Sequence, residues 1–383
     1  MSVAAAAASV STVWVLPHAG FDQAAWLASW AAPALAAEGM ALTVVPMRPR
    51  PAGRAPLPPL PGVTVLDPPL GSGPLSGLAM TGLLRRILGQ YDQVLVSQDL
   101  ALEVAALTAA RGLRRRGHLV LVAHLALNHL LSAQGEHRVG RLRAQLKKLY
   151  PTFDRVFTVS RAVTDDLHDE FDVCKGRQQV LTPPVPEDLK TARERPLPAG
   201  WPGDKGRPVT VTLGDLDVGR GVPVLLEAAA RLAQQGRPLI VAVLGEGPER
   251  GALEARAREL GLDAVFPSWP ADWAAWLGHA DLYVGPQYWD GAGLDYWAAM
   301  AAGVPAVGTD APVAIREVTG GAAELVEIGE PEALAAAMAH VLDHPDLARR
   351  QVEFGRVRAA KAFASARQGW LEAAVKPFVQ QPV

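Results

Sequence analysis

Cysteine is almost absent: Cys174 is the single one in 383 residues. One thiol excludes an intrachain disulfide and a thiolate metal site, and such rarity fits a reducing compartment. No apolar run approaches the roughly 18 to 20 residues that a membrane span needs. The Ala-rich start lacks the basic segment of a secretory leader and runs straight into a strand-like stretch, Thr12 to Leu16. A cytoplasmic protein is therefore the expectation. Excess charge is missing too: 37 Lys and Arg stand against 39 Asp and Glu, a net −2, which argues against a nucleic-acid binder.

What is present is a folding composition, 49% hydrophobic and 20% charged, in a chain long enough for two domains. The near-zero total hides a local field. Between Arg111 and Arg161 eleven Lys or Arg face only Glu136 and Asp154, a net +9. Contact with an anionic membrane through this 111–161 segment is one expectation; a solvated helix face is the other.

Alternation of strand-like and helix-like segments runs from end to end. Strands are expected at Val13–Pro17, Leu42–Val45, Val63–Leu66, Gln93–Ser97, Leu119–Ala123, Val156–Val159 and Val180–Leu181 in the first half. In the second they are expected at Val209–Leu213, Leu239–Leu244, Ala264–Pro267, Asp281–Val284, Ala306–Gly308 and Glu324–Glu327. Intervening helical patterns make each half a doubly wound parallel α/β unit. Seven prolines between Pro183 and Pro208 mark a linker. The expected division is a first domain over 1–182, a linker over 183–208, a second domain over 209–364, and a helix or tail over 365–383 that crosses back to the first.

Ligand chemistry belongs at the carboxyl ends of such strands. His124 ends one, and His18 and Gly20 follow another. The stretch Gly285 to Gly303 has a strand, a glycine turn and a helix start in that order, which aims backbone N–H groups and a helix dipole at one point. A phosphate is the natural occupant of such a turn; a mere tight turn at Gly291 and Gly293 is the plainer reading. Trp26 and Trp30 have core spacing, whereas Trp289 and Trp297 flank the turn.

Several of these segments, in order, resemble glycosyltransferases of the GT-B fold, particularly the large retaining family 4. They are Gly214-Asp215-Leu216, Arg220-Gly221, Gly245-Glu246-Gly247-Pro248, Pro286 to Gly293, and Ala298 to Pro305. Tyr91 to Val96, His124 and Phe153 to Val163 resemble the acceptor domain of the same family. The resemblance implies two Rossmann-like domains facing a central cleft, and transfer of a sugar from a nucleotide-sugar donor to a hydroxyl acceptor with retention. It also implies no metal and no cofactor beyond the donor itself.

Carried over residue by residue, the family's pyrophosphate Arg is Asp215 here, its Lys is Arg220, its sugar-facing Glu is Asp290, and its ribose-holding Glu is Ala298. Asp290 and His124 are then the expected catalytic pair. Gly20, Gly214, Arg220, Gly245, Gly247, Gly291, Ala292, Gly293 and Leu294 are the expected donor contacts. Asp295, one helical turn before Ala298, is expected to take over a hydroxyl contact. Asp215 and Ala298 leave an alternative open, a catalytically degenerate relative that serves as a binding or regulatory partner of an active glycosyltransferase.

Overall fold

The structure, a computed structural model, describes residues 7–52, 54–71, 77–111, 117–127, 131, 136–203, 206–311 and 314–379. Its first sheet holds β1 (Thr12–Leu16), β2 (Leu42–Pro46), β3 (Thr64–Val65), β4 (Gln93–Ser97), β5 (His118–Ala123), β6 (Arg155–Thr158) and β7 (Gln178–Val180), in the order β3-β2-β1-β4-β5-β6-β7. The second holds β8 (Val209–Leu213), β9 (Ile240–Leu244), β10 (Asp263–Val265), β11 (Leu282–Gly285), β12 (Ala306–Thr309) and β13 (Ala323–Val326), in the order β10-β9-β8-β11-β12-β13. All thirteen strands overlap the segments expected from the sequence, β7 by Val180 alone and β10 shifted toward its start, and the described strand pairings are parallel.

Parallel strands covered on both faces need continuous apolar runs. That is why Val13-Trp14-Val15-Leu16 and Ile240 to Leu244, all fully buried, occupy interior places in their sheets. The covering helices are α1 (Gln23–Ala37), α2 (Gly77–Gln90), α3 (Leu100–Ala110), α4 (Glu136–Leu149) and α5 (Arg161–Phe171) in the first domain. In the second they are α6 (Val222–Gln234), α7 (Arg250–Glu259), α8 (Trp273–Gly278), α9 (Leu294–Ala302), α10 (Ile315–Thr319) and α11 (Pro331–Asp343), and α12 (Pro345–Val379) ends the chain. Leu225, Leu226, Val241, Val243, Val284, Leu334 and Met338 form the heart of the second core.

By compactness the chain divides into one unit of 1–52, 56–184 and 364–383 and another of 53–55 and 185–363. The proline-rich segment that reads as a linker carries structure: a short helix, Glu187–Glu194, buries Leu189 and Ala192 against α8 and α9. Gly278 permits this, because a Cβ there would lie 2.4 Å from the Ala192 carbonyl carbon.

Helix α12 runs without a break across the boundary expected at 364 and continues to Val379. Its last turns bury Trp370, Leu371, Ala373 and Ala374. Trp370 stacks on Trp14 at 5.9 Å between ring centroids and donates to the Thr182 carbonyl at 2.8 Å. Gln93 donates to the Ala374 carbonyl at 2.9 Å and Arg155 to that of Ala373 at 2.8 Å. These bonds lock the terminal helix onto the first domain's sheet.

In the basic segment, Arg114, Arg115 and Arg116 lie outside the described residues, as do the side chains of Arg138 and Arg141. Two of the remaining cations on α4 are turned to α5, Arg143 pairing with Glu170 at 2.5 Å and Lys147 with Asp172 at 3.4 Å.

Candidate functional site

The turn after β8 and the turn after β11 are built around each other. Val218–Arg220 forms a single 3-10 turn capped by Asp217, whose carboxylate accepts from the Arg220 N–H at 3.1 Å. Gly221 follows with φ +67°, and a Cβ on it would sit 2.0 Å from the Pro286 carbonyl oxygen. A Cβ on Gly219 would sit 2.6 Å from the Trp289 ring. The Tyr288 N–H donates to the Gly219 carbonyl at 2.9 Å. Two glycines thus let the backbones touch, and the contact fixes Arg220 at the carboxyl end of β8.

Arg220 is 11% exposed, and its Nη1 lies 2.7 Å from Oδ2 of Asp295, which is 1% exposed. The same carboxylate oxygen accepts from the Tyr283 hydroxyl at 2.5 Å and from Gln287 Nε2 at 3.2 Å. Burial opposes the Arg220 charge, but Asp295, with Tyr283 and Asp290 behind it, outweighs that and holds the guanidinium well above its ordinary pKa. Burial, and next the Asp295 charge, push the Tyr283 hydroxyl well up, so it stays a donor. Gly214, with φ +133°, leaves the space the guanidinium fills, since a Cβ there would be 1.7 Å from Arg220 Nη2.

Asp290 caps the turn. Its Oδ1 accepts from the N–H groups of Ala292 at 2.9 Å and Gly293 at 2.8 Å. Burial and the neighbouring Asp295 raise its pKa above the usual carboxylate range, while Arg220 and the two N–H groups pull the other way. The Tyr296 hydroxyl lies between paired strands, donating to the Gly285 carbonyl at 3.0 Å, in space that only glycine at 285 and 308 leaves open.

Several expected donor contacts have other partners here. The Ala292 and Gly293 N–H groups, expected at a phosphate, hold Asp290. Asp295, expected at a hydroxyl of the donor, is enclosed by Arg220, Tyr283 and Gln287. Ala298 is fully buried in α9, and Leu294 opens that helix behind Gly293, whose φ is +55°. Gly291 and Ala292 are buried in the same turn. Gly245, with φ +158°, and Gly247 pack backbone to backbone on Gly214 and Leu216. Asp215 pairs at 2.5 Å with Arg54, one of the residues 53–55 that group with the second unit. Trp297 is buried with Arg358 over its ring at 5.9 Å. The sequence reading passed over Tyr283 and Gln287; Gln287 sits in the stretch it singled out, and Tyr283 on the strand that leads into it.

In the first domain His124 follows β5 directly and is 4% exposed. Burial lowers its pKa to about 4, against a smaller opposite pull from the Val122 carbonyl, so the imidazole is neutral at pH 7. Gly20 is buried, and its N–H donates to His18 Nδ1 at 3.1 Å. Among the described residues no group of three His, Cys, Asp or Glu could hold a metal ion, and no helix is long and apolar enough to cross a membrane.

Two family models match the chain: Glycosyltransferase Family 4 over residues 31–189 and Glycosyl transferases group 1 over residues 207–344. The chain belongs to the GT-B glycosyltransferases. It is 28% identical over 225 residues to the MMP alpha-(1->4)-mannosyltransferase of Mycolicibacterium hassiacum, spanning 57% of this chain and about half, 52%, of that one. It is 27% identical over 262 residues to the GDP-mannose-dependent alpha-(1-6)-phosphatidylinositol dimannoside mannosyltransferase of Mycobacterium tuberculosis, spanning 66% of this chain and 67% of that one. Among solved structures, Anabaena Alr3699/HepE in complex with UDP and glucose superposes with a TM-score of 0.74 at 16% identity, over 97% of this chain and all of that one.

Proposed function

We propose that this GT-B protein transfers a hexose, mannose foremost, from a nucleotide-sugar donor to a hydroxyl acceptor, with retention and without a metal. The observation that carries the reading is Arg220, a rigid guanidinium at the carboxyl end of β8 with its turn backed by glycines. A cation fixed in advance stabilises charge that develops on a leaving phosphate without reorganising during the reaction. Mannosyltransferases among the relatives point to the donor sugar, and one is named as GDP-mannose-dependent. The neutral imidazole of His124 suits it to hydrogen-bond a sugar hydroxyl. An acceptor carried on anionic lipid is the class that the excess of basic residues in the 111–161 segment favours.

A thermal-shift series with GDP-mannose and UDP-glucose tests the donor. GDP-mannose at a hundredfold excess over its Kd is expected to stabilise by about 2.7 kcal/mol. Release of GDP, unaffected by EDTA, tests the reaction, and NMR of the product anomer tests retention. His124→Ala is expected to lower kcat about a hundredfold, the scale of losing one transition-state hydrogen bond. Absence of both a shift and turnover with every nucleotide sugar would overturn the reading in favour of a non-catalytic partner protein.

A further inference from the structure

We propose that Gln98 is the positioning residue of His124: its side-chain amide splints the backbone on which the imidazole is carried. The inference rests on the role given to His124 above, and it is drawn entirely from contacts within the first domain.

β5 ends at Ala123, and β4, its neighbour in the sheet, ends at Ser97. Beyond those residues the ladder stops, and the N–H groups of His124 and Leu125 need partners from elsewhere. Gln98 supplies them. Its Oε1 accepts from the His124 N–H at 2.9 Å and from the Leu125 N–H at 2.7 Å, and its Nε2 donates to the Leu125 carbonyl at 3.0 Å. Its own backbone N–H donates to the Val122 carbonyl at 3.2 Å. One buried residue, 6% exposed, therefore fixes residues 122, 124 and 125 together.

Gln98 is itself held. Asp99 caps α3, its carboxylate accepting from the Leu102 N–H at 2.8 Å, so the chain on either side of Gln98 belongs to a strand or a helix. The imidazole itself is held less firmly: Nδ1 of His124 is buried with no hydrogen-bond partner among the described residues, and the Val122 carbonyl exerts only the smaller pull on the ring. At Nδ1 the usual device for aiming a working histidine, a carboxylate or carbonyl within hydrogen-bond distance, is missing among the described residues. Direction must come through the backbone and packing. Only an amide of this length fits the task, since it both accepts from two N–H groups and donates to a carbonyl. Glutamate would face the Leu125 carbonyl without a donor, and asparagine is one methylene short.

The test compares Gln98→Ala, Gln98→Glu and His124→Ala in GDP release from GDP-mannose, with circular dichroism to establish that each variant folds. Gln98→Ala is expected to lower kcat on the order of a hundredfold, as an ångström-scale misplacement of a reacting group does, with KM for the donor within about twofold. Gln98→Glu, which keeps the acceptor, is expected to recover part of that loss. In the His124→Ala background Gln98→Ala should cost nothing more; a full additional loss would overturn the proposal. An independent readout is the NMR titration of the His124 ring, expected to move from about 4 in the native protein toward the free value, roughly 6.5, in Gln98→Ala. An unmoved midpoint together with native kcat would overturn it as well. If the midpoint moves while His124→Ala keeps full activity, Gln98 still positions the ring and it is the role of His124 in transfer that falls.

Discussion

Replacing Arg220 with methionine is expected to destabilise the second domain by about 3–5 kcal/mol, the usual cost of removing one partner of a buried ion pair. In calorimetry that is a drop on the order of 10 °C in the transition of a domain this size. The reason lies in what stays behind. Asp295 would keep the Tyr283 and Gln287 hydrogen bonds, but its charge would stand beside that of Asp290 without the guanidinium that now offsets the two. The loss should be smallest at acid pH, where protonation of Asp290 relieves the repulsion. Arg220→Met combined with Asp295→Asn should recover most of the stability, because a neutral amide can still bond Tyr283. Neither variant should gain stability from GDP-mannose, since both lack the guanidinium. Should Arg220→Met melt with the native protein, the pair is not what holds the turn; should it still be stabilised by the donor, Arg220 is not the phosphate ligand.

The same cluster marks how far the sequence could be read. Strands were legible because a parallel strand buried on both faces must be an apolar run, and Val209 to Leu213 or Leu239 to Leu244 can be little else. The glycine turn was legible because positive φ at Gly221 and Gly293 requires that residue type. Helical spacing placed Asp295 one turn before Ala298. Spacing fixes a face of a helix but not what lies opposite, and the Tyr283 hydroxyl opposite Asp295 was hidden in a segment that read as core. Gln98 was missed for a related reason: a glutamine just past a strand end carries no pattern until the neighbouring strand end is beside it. The terminal helix ran on because Ala364 to Lys376 contains no breaker stronger than Gly369, and Trp370, Leu371, Ala373 and Ala374 share a face.

Glutamate 103 was also passed over, and it carries the second large effect. A lone acid in Leu100 to Ala110, it is fully buried, bonded through Oε2 to the Tyr150 hydroxyl and without a partner at Oε1. Burial raises its pKa to about 8, and the nearby Asp99 adds to the rise while the Tyr150 hydrogen bond opposes it. In the unfolded chain the group ionises near 4.5. Between those values the folded state binds a proton that the unfolded state has released. Stability must therefore fall as pH rises through the window, by about 1.4 kcal/mol per unit and by up to roughly 5 kcal/mol across it. Glu103→Gln removes the titration and leaves an acceptor for Tyr150. It is expected to match the native protein within about 1 kcal/mol near pH 5 and to exceed it by several kcal/mol at pH 8. Denaturant unfolding at pH 5, 6.5 and 8 isolates the effect as the difference between the two proteins, because the histidines titrate alike in both. A difference that stays constant over that range would sink the assignment. Since Asp99, beside Gln98, caps α3, ionisation of Glu103 should also loosen the splint on His124. Turnover by the native protein should then fall above pH 8, while Glu103→Gln holds its rate.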